Sequence, residues 1–580
     1  MASSRPRPFG LCRIVLAATA MLVTTTIGQT DNSQWHSLNA SLSGALRSIY
    51  PLALPCFSNY NGTAVDTDPT ECAIIQANYT SAAFRANLPN AWMSNQDEMC
   101  SSDPQNQCLL DNTSPTDPLA YGNGAVCNQG IVPPVYLEVR GPDDVITAFQ
   151  HSRQTGTKLA IQNSGHDYLT RSSGQGRLLL WTRKLQSISY NNSFVPCGCP
   201  TTDVYNAITA GAGVNMDQAF SFAEQNNVTF IGGYASTVGV SGGWVQAGGH
   251  SVLSPVYGLG VDRVVEFKIV TPDGIYRTAN ACQNQDLFWA LRGGGGGTFG
   301  VVLETTHRVE PLVSMIVADI TIPASAATFT PWFEIMVNNS LQWSQQGWGG
   351  HITPSSLIDV NPLLTLQEAK DSMAPAVAFA EANNGSVTFE EFSSYYPFYL
   401  KYVGSNQLTV GNVHIAGSRL IPQALFSSET GRAQLMQYLQ QVHAQGLSPY
   451  IPVVGPTLYN YTANSTSATP AWREAVWELG AGASWAWNST LAQREAVVTK
   501  LNNLTNLVEQ ITPGGGAYQN EASPFTGDWQ EAWWGQENYD SLLAIKNKYD
   551  PHGLLSCWKC VGWTENEDEG SCLLGFADST

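Results

Sequence analysis

A single histidine, His166, sits between Ser164-Gly165 and Asp167-Tyr168, in a loop that follows a β-rich run from Lys158 to Gln162. No second histidine or carboxylate stands at metal-ligand spacing from it, which leaves the reactivity of the imidazole itself. Three glycine-rich segments follow: "GAGVNMDQAFSFAEQNN", "GGYASTVGVSGGWVQAGGHS" and "LFWALRGGGGGTFGVV". Glycine loops between strand and helix let backbone N–H groups close on an anion without side chains in the way. None of them matches G-x-x-x-x-G-K-[ST], which disfavours a nucleoside triphosphatase, and none is a G-x-G-x-x-G opening a domain. A cofactor with a pyrophosphate accounts for all three at once. Cys197-Gly-Cys199 and Cys557-Trp-Lys-Cys560 are too far apart for a zinc finger and read as disulfide cysteines.

The elements that must position these residues are partly visible. "VPPVYLEVRGPDDVITAFQHSRQTGTKLAI" predicts a strand over Val135 to Val139, then a helix capped by Asp143 with Val145, Ile146 and Phe149 inward. A strand from Lys158 to Ile161 follows. Residues 132 to 310 alternate short β-branched strands with helices. Between about 312 and 510 the glycine loops vanish, and segments such as "MIVADITIPA" and "AQLMQYLQQVHAQG" predict longer strands and helices. The end of the chain returns to a motif-dense style with "GGGAYQNEA" and "NYDSLLAIKNKYDPHGLL". There is no tandem repeat.

Arg5, Arg7 and Arg13, the apolar run from Ile14 to Val23 and small residues up to Gly28 read as a secretory signal peptide over 1–28. N-x-[ST] sequons recur from Asn39 to Asn503, as on a glycosylated surface. Of 12 cysteines, Cys12 leaves with the leader, so one of the rest is left unpaired. Cys56, Cys72, Cys100, Cys108 and Cys127 crowd residues 29–128, as in a stapled region. The net charge of -19 argues against nucleic acid and against an anionic membrane as partners.

"SGHDY", "TVGVSGGWVQAGGHS...YGLGVDRVVEFKIVTPDG", "DLFWALRGGGGGTFGVV" and "NYDSLLAIKNKYDPHGLL", in this order, resemble the FAD-linked oxidases of the vanillyl-alcohol oxidase superfamily. Within it they are most similar to the secreted fungal, berberine-bridge-enzyme-like branch. The resemblance implies an α+β fold. A PCMH-type, two-subdomain FAD-binding domain would span 129–311, with an antiparallel-sheet-plus-helices substrate domain over 312–510. A C-terminal segment over 511–580 would return to the FAD domain. It also implies a covalent bond from His166 to the flavin 8α-methyl. Ala235 stands where many relatives have a second, cysteinyl link, so the link would run through His166 alone. Val238 falls at the family's oxygen gatekeeper, and a valine there goes with rapid reoxidation by O2. The implied FAD contacts are Ser164, Gly165, His166, Val238, Gly239, Gly242, Gly243, Gly248, Gly249, Arg292 and Gly293.

Tyr168 matches an active-site tyrosine of the family, and the strand "AYQNEA", with Tyr518 and Asn520, resembles the one lining the substrate side of the flavin. His250 replaces a tyrosine of plant members, Trp244 a flavin-contacting histidine, and Trp534 another tyrosine. These departures make His250 the expected base, assisted by Tyr168 and Tyr518, and the tryptophans suggest an apolar, aromatic pocket. The implied function is a secreted oxidase that takes hydride from a hydroxyl- or amine-bearing small molecule and reduces O2 to H2O2. A carbohydrate oxidase and a non-catalytic flavin-fold binding protein are the alternatives.

Overall fold

Val135 and Leu137 are buried while Glu138 faces out, the alternation of a strand on one core, and Leu178–Trp181 is buried throughout. In the computed structural model, which describes residues 33–565 and 571–576, these strands belong to the first of three larger sheets. The leader expected over 1–28 lies outside the described residues. The fold is α+β. Strands β1 (Leu46–Ser48), β2 (Val135–Glu138), β3 (Leu159–Gln162) and β4 (Leu178–Trp181) are arranged β1-β2-β4-β3. β2 and β3 both run parallel to β4, and parallel strands need a crossover. Helix α1 (Pro142–Thr155) connects β2 to β3, with Val145, Ala148 and Phe149 fully buried and Ile146 at the margin. It starts at Pro142, and Asp144 rather than Asp143 secures that end. The Asp144 carboxylate accepts the Arg140 backbone N–H at 2.9 Å and its guanidinium at 2.7 Å.

The second sheet is antiparallel, with β5 (Ile188–Phe194), β6 (Tyr205–Gly211), β7 (Val264–Thr271), β8 (Ile275–Asn280) and β9 (Val301–Arg308) in the order β8-β7-β9-β6-β5. Against it lie α2 (Met216–Gln225), begun by an Asn215–Gln218 capping box, and the short α3 (Gly243–Ala247). The third sheet is antiparallel too. It comprises β10 (Met315–Thr321), β11 (Gly349–Thr353), β12 (Ser356–Asn361), β13 (Ser386–Phe392), β14 (Ile415–Pro422), β15 (Pro449–Val453) and β16 (Ala475–Ala483), arranged β13-β10-β12-β11-β15-β16-β14. Helices α4 (Ala326–Gln345), α5 (Glu429–Ala444) and α6 (Leu491–Ile511) cover one face, where Trp332, Leu439 and Val498 share a core with Trp477 and Leu479. Asp359 of β12 lies on the face of Leu357, which belongs to this core; both its carboxyl oxygens are buried without partners, and burial pushes its pKa up to about 8. Period-two alternation turns His351, Ser418, Tyr450 and Glu478 to the opposite face, toward Tyr234, His250 and Glu521.

The C-terminal segment contacts the glycine loops directly. Trp534 Nε1 donates to Gly293 O at 2.9 Å, and Lys546 Nζ, on α7 (Gln536–Tyr549), donates to Thr298 O at 2.7 Å. The "AYQNEA" segment forms no strand; it is irregular, with Ala517 N donating to Ala532 O. Five disulfides are present among the described residues: Cys56–Cys72, Cys108–Cys127, Cys199–Cys282, Cys557–Cys560, and Cys100–Cys572, which joins the two ends of the fold. Cys197 is unpaired and exposed despite its neighbour Cys199. No helix among the described residues is long and apolar enough to cross a membrane.

Candidate active site

The loop after β3 carries His166. Gly165 has φ +81°, and a Cβ there would sit 2.8 Å from Ala91 O, so only glycine lets the loop lie against the Ala91–Met93 turn, whose Met93 N–H donates to Gly165 O. Asp167 accepts from Leu169 N, Ser172 N and Ser172 Oγ, closing the other side of the loop. The imidazole Nε2 lies 2.7 Å from Thr237 Oγ1, and burial pulls the ring's pKa down to about 4, so it is neutral at ordinary pH.

The glycines serve two purposes. A Cβ on Gly243 would meet nothing within 4 Å, so bare backbone opens onto free space there. Gly239 instead receives the Asn163 side chain, and Gly249 rests on the Trp244 indole, where added Cβ atoms would come within 2.6 Å and 3.0 Å of those neighbours. Gly293 differs most from expectation. Gly293 N donates to Gln246 O, and a Cβ there would fall inside the Ser467–Ala468 backbone. Its N–H is spent and its role is close packing. The Arg292 guanidinium donates through Nη2 to Ser465 O and lies 4.0 Å from the centre of the Phe288 ring.

Between His166 and the third sheet lies a recess. Tyr168, Tyr234, His351, His414, Tyr450 and Glu521 are deeply set yet keep accessible surface, as the lining of an internal space does. Tyr234 packs on His351 with ring centres 4.0 Å apart, and Tyr168 on His414 at 5.0 Å. Gln96, from the N-terminal region, pins the His414 backbone through both its N–H and its carbonyl. In place of the expected apolar, tryptophan-rich pocket, the recess is lined by tyrosine and histidine rings and a carboxylate. Trp534 is fully buried, and Trp244 lies beneath Gly249 and Gly260 with its Nε1 donating to His250 O. Both tryptophans brace backbone.

His250 Nε2 is 3.1 Å from Glu521 Oε1 and 3.7 Å from Glu478 Oε2. The two carboxyls are shifted in opposite directions. Burial, aided by the charge of Glu521, pushes the Glu478 pKa well above the usual value, against the Ser418 hydroxyl that donates to its Oε1 at 2.6 Å. Burial acts upward on Glu521 also, but the charge and hydrogen bond of His250 outweigh it, and its pKa ends below the usual value. His250 does not itself reach the recess: its side chain is 4% exposed against 19% for Glu521. The Tyr518 hydroxyl donates to Trp244 O and accepts from Asn520 Nδ2, which also donates to Gly243 O.

The FAD binding domain family matches residues 133–280, and the family described as berberine and berberine like matches residues 517–556. The FAD-linked oxidoreductase ffsJ of Aspergillus flavipes is 44% identical over 94% of each chain. The chain belongs to the berberine-bridge-enzyme-like FAD-linked oxidoreductases. The solved VAO-type flavoprotein MtVAO615 of Myceliophthora thermophila superposes on this oxidoreductase with a TM-score of 0.78, at 26% identity, covering 94% of this chain and 96% of that one. A glucooligosaccharide oxidase from Acremonium strictum, described as carrying 6-S-cysteinyl, 8α-N1-histidyl FAD, shares the fold at 20% identity and a TM-score of 0.62, over 74% and 92% of the chains. The cofactor of this oxidoreductase is therefore FAD, and its substrate a small molecule. The residues present suit FAD: bare backbone at Gly243, a neutral imidazole at His166 and a recess beside both.

Sequence reading missed Thr237, Tyr234, His351, Tyr450, Glu478 and Glu521. Only Glu478 carried a signal, as a lone acid inside the apolar "AVWELGAGA" strand.

Proposed function

We propose that the protein is a secreted oxidase. It holds FAD through His166 alone, takes hydride from a hydroxyl- or amine-bearing small molecule, and passes the electrons to O2 with formation of H2O2. Bound FAD supplies the two-electron acceptor. The observation that carries the proton chemistry is Glu521, an ionised carboxylate that is also the exposed member of its cluster. Glu521 accepts the proton from the substrate O–H or N–H. His250 behind it favours the charged form through the 3.1 Å contact. Tyr518 is disfavoured as a base because its proton is committed to Trp244 O, and Tyr168 because burial and the Glu521 charge push its phenol further up.

Ala235 has no sulfur for a second link, in contrast to the doubly tethered glucooligosaccharide oxidase. The five disulfides support an oxidising compartment. A carbohydrate oxidase is the second reading, favoured by the tyrosine, histidine and carboxylate lining of the recess in place of a tryptophan pocket. The test is peroxide release from purified protein across alcohols, amines, sugars and aromatic metabolites, with acid precipitation of wild type and His166→Ala. Peroxide from one class is expected, with flavin in the wild-type pellet and in the His166→Ala supernatant. Flavin that stays with the His166→Ala pellet would exclude the histidyl link. Flavin that reduces without oxygen and then resists O2 would make the enzyme a dehydrogenase.

A further inference from the structure

We infer that Thr237 is the positioning residue for attachment of the cofactor, its hydroxyl holding Nε2 of His166 so that Nδ1 is the nitrogen that joins the flavin. The inference rests on the reading of His166 as the link. Thr237 Oγ1 is 2.7 Å from Nε2, and no hydrogen bond engages Nδ1 among the described residues. The two side chains are 71 residues apart in sequence, so the contact is made by the fold.

Both ends are fixed through the backbone. On one side, Gly165 lies against the Ala91–Met93 turn and Asp167 gathers three donors, so the His166 Cα has little freedom. On the other, the first N–H groups of α2 donate to the residues flanking Thr237: Met216 N to Val238 O at 3.0 Å and Asp217 N to Ser236 O at 3.1 Å. Ser236 N donates to Gln407 Oε1, and Val238 N to Ala235 O. Thr237 is buried, at 5% exposure, and makes no other side-chain hydrogen bond among the described residues. Its hydroxyl is committed to the ring.

A neutral imidazole carries one N–H, and the partner decides which nitrogen keeps it. For Nδ1 to react, the proton must sit on Nε2, where Thr237 Oγ1 accepts it. Attachment replaces one C–H bond of the flavin 8α-methyl and the imidazole N–H by a C–N bond. Two protons and two electrons leave, and O2 takes them up as H2O2. Afterwards Nε2 has a lone pair and no proton, and the same hydroxyl rotates to donate. A hydroxyl serves both states without moving its heavy atom. Positive charge that builds on the ring during attachment strengthens the contact, since hydrogen bonds to charged groups exceed neutral ones.

The test uses full-length protein isolated from a flavin-starved host, incubated with FAD in air and sampled over time for acid-stable flavin. Thr237→Val keeps the branched shape without the hydroxyl, and Thr237→Ser keeps the hydroxyl. Wild type and Thr237→Ser should attach flavin at similar rates. Thr237→Val should bind FAD non-covalently with wild-type affinity but attach it roughly 10- to 150-fold more slowly, the weight of one hydrogen bond to a charged group. Thr237→Ala, slowed alike, carries the same comparison if the valine variant does not fold. Attachment by Thr237→Val or Thr237→Ala at the wild-type rate overturns the role of Thr237 while leaving His166 as the link. A wild type that releases all its flavin on precipitation overturns the link itself.

Discussion

Replacing Glu521 by glutamine tests the proposed proton path. Glutamine keeps the size and an oxygen facing His250 but cannot take up a proton. If Glu521 is the acceptor, flavin reduction should fall by about 10²–10⁴-fold, the usual weight of a general base. His250→Asn should cost less, because His250 acts through Glu521. Loss of a charge-assisted hydrogen bond is worth about 1.5–3 kcal/mol, or roughly 10- to 150-fold. The two variants also differ in pH dependence. Glu521 has its pKa lowered chiefly by His250 against the upward effect of burial, so removing His250 leaves burial opposed only by the Tyr450 hydrogen bond and by His351. The acid limb of the reduction rate, where Glu521 becomes protonated, should then move to higher pH in His250→Asn. The assay is anaerobic stopped-flow bleaching of the flavin from about pH 3.5 to 9, which brackets the lowered Glu521 titration, using the substrate identified by peroxide release. The reasoning fails if His250→Asn loses more activity than Glu521→Gln, or if its acid limb stays in place.

Gly293→Ala should lose flavin binding or fail to accumulate, since its Cβ would fall within the Ser467–Ala468 backbone at a φ of +141°. Yellow, soluble Gly293→Ala with a wild-type melting temperature would refute that packing role. Asp359→Asn should stabilise the fold increasingly with pH. The folded carboxyl titrates near 8 against an ordinary 3.8, so the stability tied to its protonated form is complete below pH 3.8 and declines as pH rises toward 8. That decline is about 1.4 kcal/mol per pH unit, or roughly 4 kcal/mol by pH 7, and asparagine does not undergo it. Melting curves of both proteins from pH 4 to 8 should diverge, and a constant gap would exclude the buried titration.

The β2–α1–β3 unit was legible because its periods are local: Val145 and Phe149 repeat at helical spacing, and Leu159–Gln162 is a short apolar run between turns. His166 stood out through the glycine before it. The acid–base cluster did not, because Glu478 and Glu521 come from a strand and an irregular segment that meet His250 only in three dimensions. Gly293 shows the converse limit. Its type fits an anion site, yet whether its N–H is free depends on a partner such as Gln246, which sequence spacing does not reveal. The tryptophans misled for the same reason, since a large ring is equally suited to lining a pocket and to supporting a glycine loop.

The Cys100–Cys572 bridge gives the protein a late moment of completion. Its second sulfur is translated 472 residues after the first, a delay of roughly half a minute or more at cellular synthesis rates. Throughout that time Cys100 is a free thiol close in sequence to Cys108 and Cys127, which must find each other instead. Gly293 waits on the same late residues, for Gln519 and Trp534 hold its carbonyl. Oxidative folding of the chain is thus governed by disulfide isomerase capacity and by an intact C terminus, and a chain shortened before Cys572 is left with Cys100 lacking its partner.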